Sequence, residues 1–97
     1  MFKGKGQRKR KRIIAFETVV SEYESALLRY VARIVSDACA AQDVVQDTFI
    51  KLLKNWKDEI APSPQLSSWL YRVAHNCAVD YLRKESRRRV LHRQQAE

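Results

Sequence analysis

The side chains best placed to act on a ligand lie along one face of the last apolar-periodic segment. Arg72, Asn76, Val79, Arg83 and Arg87 step by four, three, four and four, which lines residues up along a helix. An asparagine has two donors and an acceptor, and guanidinium groups hold phosphates. Such a set grips a polyanion and breaks no bonds. No Ser, Cys or carboxylate stands at a spacing from His75 that suggests a catalytic triad. The two histidines and two cysteines show no zinc-ligand spacing, and the two glycines, Gly4 and Gly6, make no phosphate loop. The sequence therefore speaks for a binding protein, not an enzyme, and implies no metal and no cofactor.

Charge supports the same reading. The net charge is +8 over 97 residues, unevenly placed. Residues 1–12 hold seven Lys/Arg and no acid; residues 13–66 hold five basic against eight acidic groups; residues 67–97 hold seven against three. Basic ends on an acidic body suit nucleic acid or an anionic surface, although a run such as Lys3–Arg12 also suits a solvated tail. A chain of this length makes one small domain with a thin core and little room for a deep cleft. Cys39 and Cys77 sit beside alanines in helical patterns, as small core residues do, which points to a reducing cytosol. No apolar run is long enough to span a membrane, and no apolar region follows the basic start as a secretion signal requires.

Three elements must position these residues. Prolines occur only at 62 and 64, so the chain from Ile13 to Ala61 and again from Gln65 has no strong breaker. The first helix is expected from about Phe16 to Val35, with Phe16, Val20, Tyr23, Leu27, Tyr30 or Val31, and Ile34 facing inward. Residues 1–15 are expected as a flexible basic tail and residues 16–97 as the folded domain. Ser36-Asp37 ends the first helix and can cap the second. The second runs from Ala38 or Ala41 to Trp56, with Val45, Phe49, Leu52, Leu53 and Trp56 inward. Its acids lie early and Lys51, Lys54 and Lys57 late, which complements the helix dipole. Ile50, an apolar residue in line with Asp43, Gln46 and Asp47, hints at a partner surface. After a loop over residues 57–64, Ser63 and Pro64 suit the cap and first position of a third helix. Leu66, Leu70, Val73 or Ala74, Cys77, Tyr81 and Leu82 are its expected inward face. Beyond Ser86 the apolar pattern weakens, and the helix is expected to fray or project.

Residues 41–53, Ala-Gln-Asp-Val-Val-Gln-Asp-Thr-Phe-Ile-Lys-Leu-Leu, and residues 69–83, Trp-Leu-Tyr-Arg-Val-Ala-His-Asn-Cys-Ala-Val-Asp-Tyr-Leu-Arg, carry a resemblance. Together they resemble region 2 of bacterial RNA polymerase sigma factors of the extracytoplasmic-function (sigma-70 family) type, over about Phe16 to Arg89. The resemblance implies an all-α fold, a compact three- to four-helix bundle. It implies a cytoplasmic transcription initiation factor domain that binds core RNA polymerase and recognises and melts the promoter −10 element. Gln42, Asp43, Gln46, Asp47 and Ile50 match the positions that grip the clamp helices of the beta-prime subunit. Asn76 matches the asparagine that faces a base flipped from the non-template strand. Arg72, Arg83, Lys84, Arg87 and Arg88, with Lys51, would hold phosphates. An anti-sigma factor is a further class of partner.

The sequence also departs from the family pattern. Gln42 stands where an acid is common, and His75 where an arginine is common. Pro62-Ser63-Pro64 replaces a loop that often holds Phe or Gly, and nothing after Arg89 resembles region 4. Two other readings stay open: a polymerase-binding regulator or decoy without promoter recognition, and a generic basic helical domain for nucleic acid. Trp56 and Trp69 read as core in preference to stacking platforms, Tyr71 as a weaker stacking candidate, and His75 as a surface hydrogen-bonder.

Overall fold

A computed structural model describes residues 3–96, with side chains for residues 9–91. Met1, Phe2 and Glu97, the outer ends of the two expected segments, lie outside the described residues. Helix α1 spans Lys3–Val35, α2 Ala38–Asn55 and α3 Pro64–Ala96. All three pack pairwise, and the described residues include no strand.

The α1–α2 junction is two residues long, and each has a defined task. Ser36 takes a left-handed conformation, φ 58°, unfavourable for a residue with a Cβ. In return its N–H reaches Ala32 O at 3.0 Å and satisfies a carbonyl at the end of α1. Asp37 is extended, φ −147°, and its Oδ1 accepts from the N–H groups of Cys39 (2.9 Å) and Ala40 (3.3 Å). That is an N-cap, as the sequence implies. Asp37→Ala is expected to lower stability by about 1 kcal/mol. A reduced urea midpoint that Asp37→Asn largely restores would show it; no change would mean α2 starts without its cap.

Helix α2 stops at Trp56, whose backbone turns extended. Its free carbonyls meet Arg12, whose Nη2 donates to Trp56 O at 2.9 Å and to Leu53 O at 3.3 Å. A guanidinium there satisfies orphan acceptors and the negative end of the helix dipole. The loop returns through Ile60, which is only 3% exposed. Ser63 Oγ then accepts from Leu66 N–H at 3.1 Å, with Pro64 as the first helical residue.

The core is narrower than the apolar stripes suggest. Leu27, Val31, Leu52, Leu66, Leu70 and Ala74 are fully buried, and Val45 and Phe49 nearly so. Phe16, Val20, Tyr23, Tyr30, Ile34, Trp56, Cys77 and Tyr81 pack against its rim. Leu53 and Leu82, expected inward, are about two-fifths exposed (42% and 39%), and Cys39, expected as a core residue, is exposed. In their place stand Val19, Val35, Ala40, Ala41, Val44 and Ala78. Short side chains let helices approach closely, so alanines fill the seams where a larger residue would hold the helices apart. Thr48 is fully buried inside α2, and its Oγ1 donates to Val44 O at 2.9 Å, leaving no orphan hydroxyl.

Two helix ends outrun the core. Helix α1 starts at Lys3, upstream of the Phe16 expected from the sequence, and α3 continues to Ala96. Lys, Arg and Gln are good helix formers, and extending an existing helix needs no new nucleus. From Arg87 to Leu91 every side chain of α3 is exposed, so the helix projects as expected. The result is an elongated body, 68 × 25 × 19 Å. Among the described residues no helix is long and apolar enough to cross a membrane.

Candidate nucleic-acid and partner interface

Helix α2 divides cleanly into two sides. Ala41, Val44, Val45, Thr48 and Leu52 face the core. Gln42, Asp43, Gln46, Asp47 and Ile50 are all exposed, Ile50 by 48%. Gln42 and Gln46 border a shallow groove against α1, shared with Glu24, Leu28, Val45 and Phe49. Among the described residues, no hydrogen bond or ion pair holds the side chains of Asp43, Gln46 or Asp47. The face offers two carboxylates, two amides and an apolar residue. Carboxylates of this kind take arginines in bidentate pairs.

Helix α3 carries the opposite charge. At about 100° per residue, Arg72, Asn76, Arg83 and Arg87 fall within about 60° of one another. All four are exposed. Lys84 and Arg88 are turned about 80° and 120° from Asn76, on the side of Cys77. The expected cations thus split into two rows. Lys84 pairs with Asp80 at 3.7 Å and Arg88 with Glu85 at 3.4 Å. Exposed pairs of this type contribute at most about 1 kcal/mol, so they can exchange for a phosphate. Lys51 reaches across from α2, where its Nζ donates to Cys77 Sγ at 3.3 Å, one residue from Asn76.

Other side chains have local employment. His75 Nδ1 shares a 3.1 Å hydrogen bond with Tyr30 Oη, and Tyr30 meets Tyr71 edge-on at 5.2 Å between ring centroids. Tyr71 is thereby committed to the α1–α3 seam. Tyr81 lies in a hollow with Asp37 and Glu85. Loss of water, then those two carboxylates, raises its phenol above the usual range, so it stays neutral there.

A depression at the start of α3 was not expected from the sequence. Trp56, Pro64, Gln65, Ser68, Trp69 and Arg72 line it, with the two indoles edge-to-face at 5.7 Å. Both tryptophans are half-buried and pack against the core. One signal was available: Gln65 stands seven residues before Arg72 and belongs to the same row. The return of the loop that brings Trp56 to Trp69 has no such signature. Among the described residues, no group of three His, Cys, Asp or Glu could hold a metal.

An acidic α2 face beside a basic α3 face is the arrangement the resemblance implies. The Sigma-70 region 2 family model matches residues 19–88. The chain belongs to that family. It is 40% identical over 77 residues to the RNA polymerase sigma-H factor of Pseudomonas aeruginosa, covering 76% of this chain and 38% of that protein. It is 31% identical over 71 residues to the ECF RNA polymerase sigma factor SigW of Bacillus subtilis, covering 73% and 37%. With the ECF RNA polymerase sigma factor SigL of Mycobacterium tuberculosis it shares 36% over 76 residues, covering 72% and 40%. The chain spans about two-fifths of the length of these relatives. No solved structure gives a significant match. The Sigma-70 region 2 match contains every candidate position from Gln42 to Arg88 and begins after the basic start of α1.

Proposed function

We propose that this domain binds core RNA polymerase and promoter DNA, as the part of a transcription initiation factor that recognises and melts the −10 element. One observation carries the reading: within the matched segment, neighbouring helices present an acidic face and a basic face, both open to solvent. The α2 face, Gln42, Asp43, Gln46, Asp47 and Ile50, docks on the clamp helices of the beta-prime subunit. The α3 face holds the non-template strand, with Arg72, Arg83 and Arg87 in the Asn76 row and Lys51, Lys84 and Arg88 beside it. Asn76 reads one unstacked base. Holding a flipped base stabilises the melted state over the duplex, so strand opening is driven by binding without catalysis. Such work belongs in the cytoplasm, and an anti-sigma factor would act by covering either face.

Base reading by Asn76 is the direct test. A good side-chain–base pair discriminates by about 1–3 kcal/mol, roughly five- to 150-fold. Asn76→Ala should remove preference among single-stranded −10 sequences while nonspecific affinity changes little, as followed by fluorescence anisotropy. If the wild-type chain binds every strand equally yet still binds core polymerase, the regulator reading replaces this one.

A further inference from the structure

The start of α1 lies outside the segment that defines the family, and it holds the densest positive charge in the chain. Lys9, Arg10 and Lys11 are exposed, and no acid occurs between residues 1 and 16. Among the described residues, no hydrogen bond or ion pair holds those three side chains. A run of like charge alone would be only a solvated arm. Its placement adds more. Arg12 is fastened to the last carbonyls of α2, including Trp56 O at 2.9 Å. Trp56 in turn packs on Trp69, and both line the hollow that also contains Arg72. The arm therefore departs from the wall of that hollow. On its way it shares a second recess with Lys57, where Lys11 and Lys57 face Asp58 and Glu59. The recess holds three cations, Lys11, Arg12 and Lys57, against those two acids, so it stays net positive beside the exposed Lys9 and Arg10.

We propose that Lys9, Arg10 and Lys11 form a second phosphate-binding cluster, fanned around the start of α1, which takes the phosphates of a DNA strand that continues past the start of α3. This rests on the promoter-binding reading above and extends it past the family segment. The cluster recognises phosphate, not base: three flexible cations without a planar partner carry no sequence information. Fixing Arg12 to α2 places the cluster beside Trp56 and the start of α3, so that α3 and the arm meet one strand in succession.

The test compares two single-stranded DNAs, one limited to the −10 element and one lengthened on both sides. Each is titrated at several salt concentrations with wild-type chain and with Lys9→Ala/Arg10→Ala/Lys11→Ala. Each phosphate neutralised on a single strand contributes about 0.7 to the log–log salt slope. The wild type should show a steeper slope on the longer strand, and the triple variant should lose about 2 from it. Slope and affinity on the short strand should not change, and base preference should persist. Circular dichroism checks that the helix content is kept. An unchanged slope on the long strand overturns the proposal, as does equal loss on both strands. Loss of affinity for core polymerase, with DNA binding intact, also overturns it and assigns the arm to a protein surface. If the wild type shows no base preference, the promoter reading falls first, a result separate from any behaviour of the arm.

Discussion

Leu70→Ala is expected to lower stability by about 2–5 kcal/mol, the range for removing a fully buried leucine. Leu70 is 0% exposed in the middle of the core-facing stripe of α3, with Leu66 and Ala74 a turn away on either side. Helix packing around it cannot close the gap without moving α3 against both partners, so most of the cavity persists. Total stability for a domain of this size is about 5–15 kcal/mol, so the loss is a large fraction of it. The urea midpoint should fall with little change in slope. Leu53→Ala and Leu82→Ala provide the contrast, because both side chains are about two-fifths exposed (42% and 39%) and should each change stability much less. Similar effects from all three would mean that the packing of α3 has been placed wrongly.

The second large effect concerns the partner face. Asp43→Arg/Asp47→Arg should weaken binding to core RNA polymerase by at least thirty-fold. Removing one member of a buried charge pair at an interface typically costs about 2–5 kcal/mol, and reversal adds repulsion. Fold stability should change little, because both positions are exposed and face away from the buried side of α2. Affinity for single-stranded DNA should hold or rise, since two negative groups become positive. Titration against core polymerase and against a −10 strand separates these outcomes. A double reversal that binds polymerase like the wild type would remove the α2 face from the proposal.

Much of this was legible in the residues themselves. Asp37 and Ser63-Pro64 announce the starts of α2 and α3 because capping is local chemistry. The α2 and α3 polar faces follow from spacing alone. What escaped was set by neighbours. Ala40, Ala41 and Ala78 give weak periodic signals, yet small size is what the close seams select. Leu53 and Leu82 lie at the edges of their apolar stripes, beyond where the other helices reach. Ile60 sits in a loop and is buried only because the chain turns back over the core. The hollow between Trp56 and Trp69 depends on that same return. Arg12 read as one charge among many, and only the fold shows it bound to the end of α2.

On the proposed DNA-binding reading, the two overhanging helix ends bear on competition from nonspecific DNA. The body is 68 Å long, with a radius of gyration of 17.0 Å, against about 13 Å for a compact chain of this size. Laid lengthwise on duplex DNA, at about 3.4 Å per base pair, it would occlude a stretch of roughly twenty pairs. Positive charge at both poles and an acidic middle favour that flat posture over an end-on one. Each loosely held molecule then blocks its neighbours over two helical turns, so nonspecific DNA saturates at a lower copy number than a compact domain would reach. On the proposed reading, the supply of this domain to polymerase would depend on the length of its helices as well as on its charge.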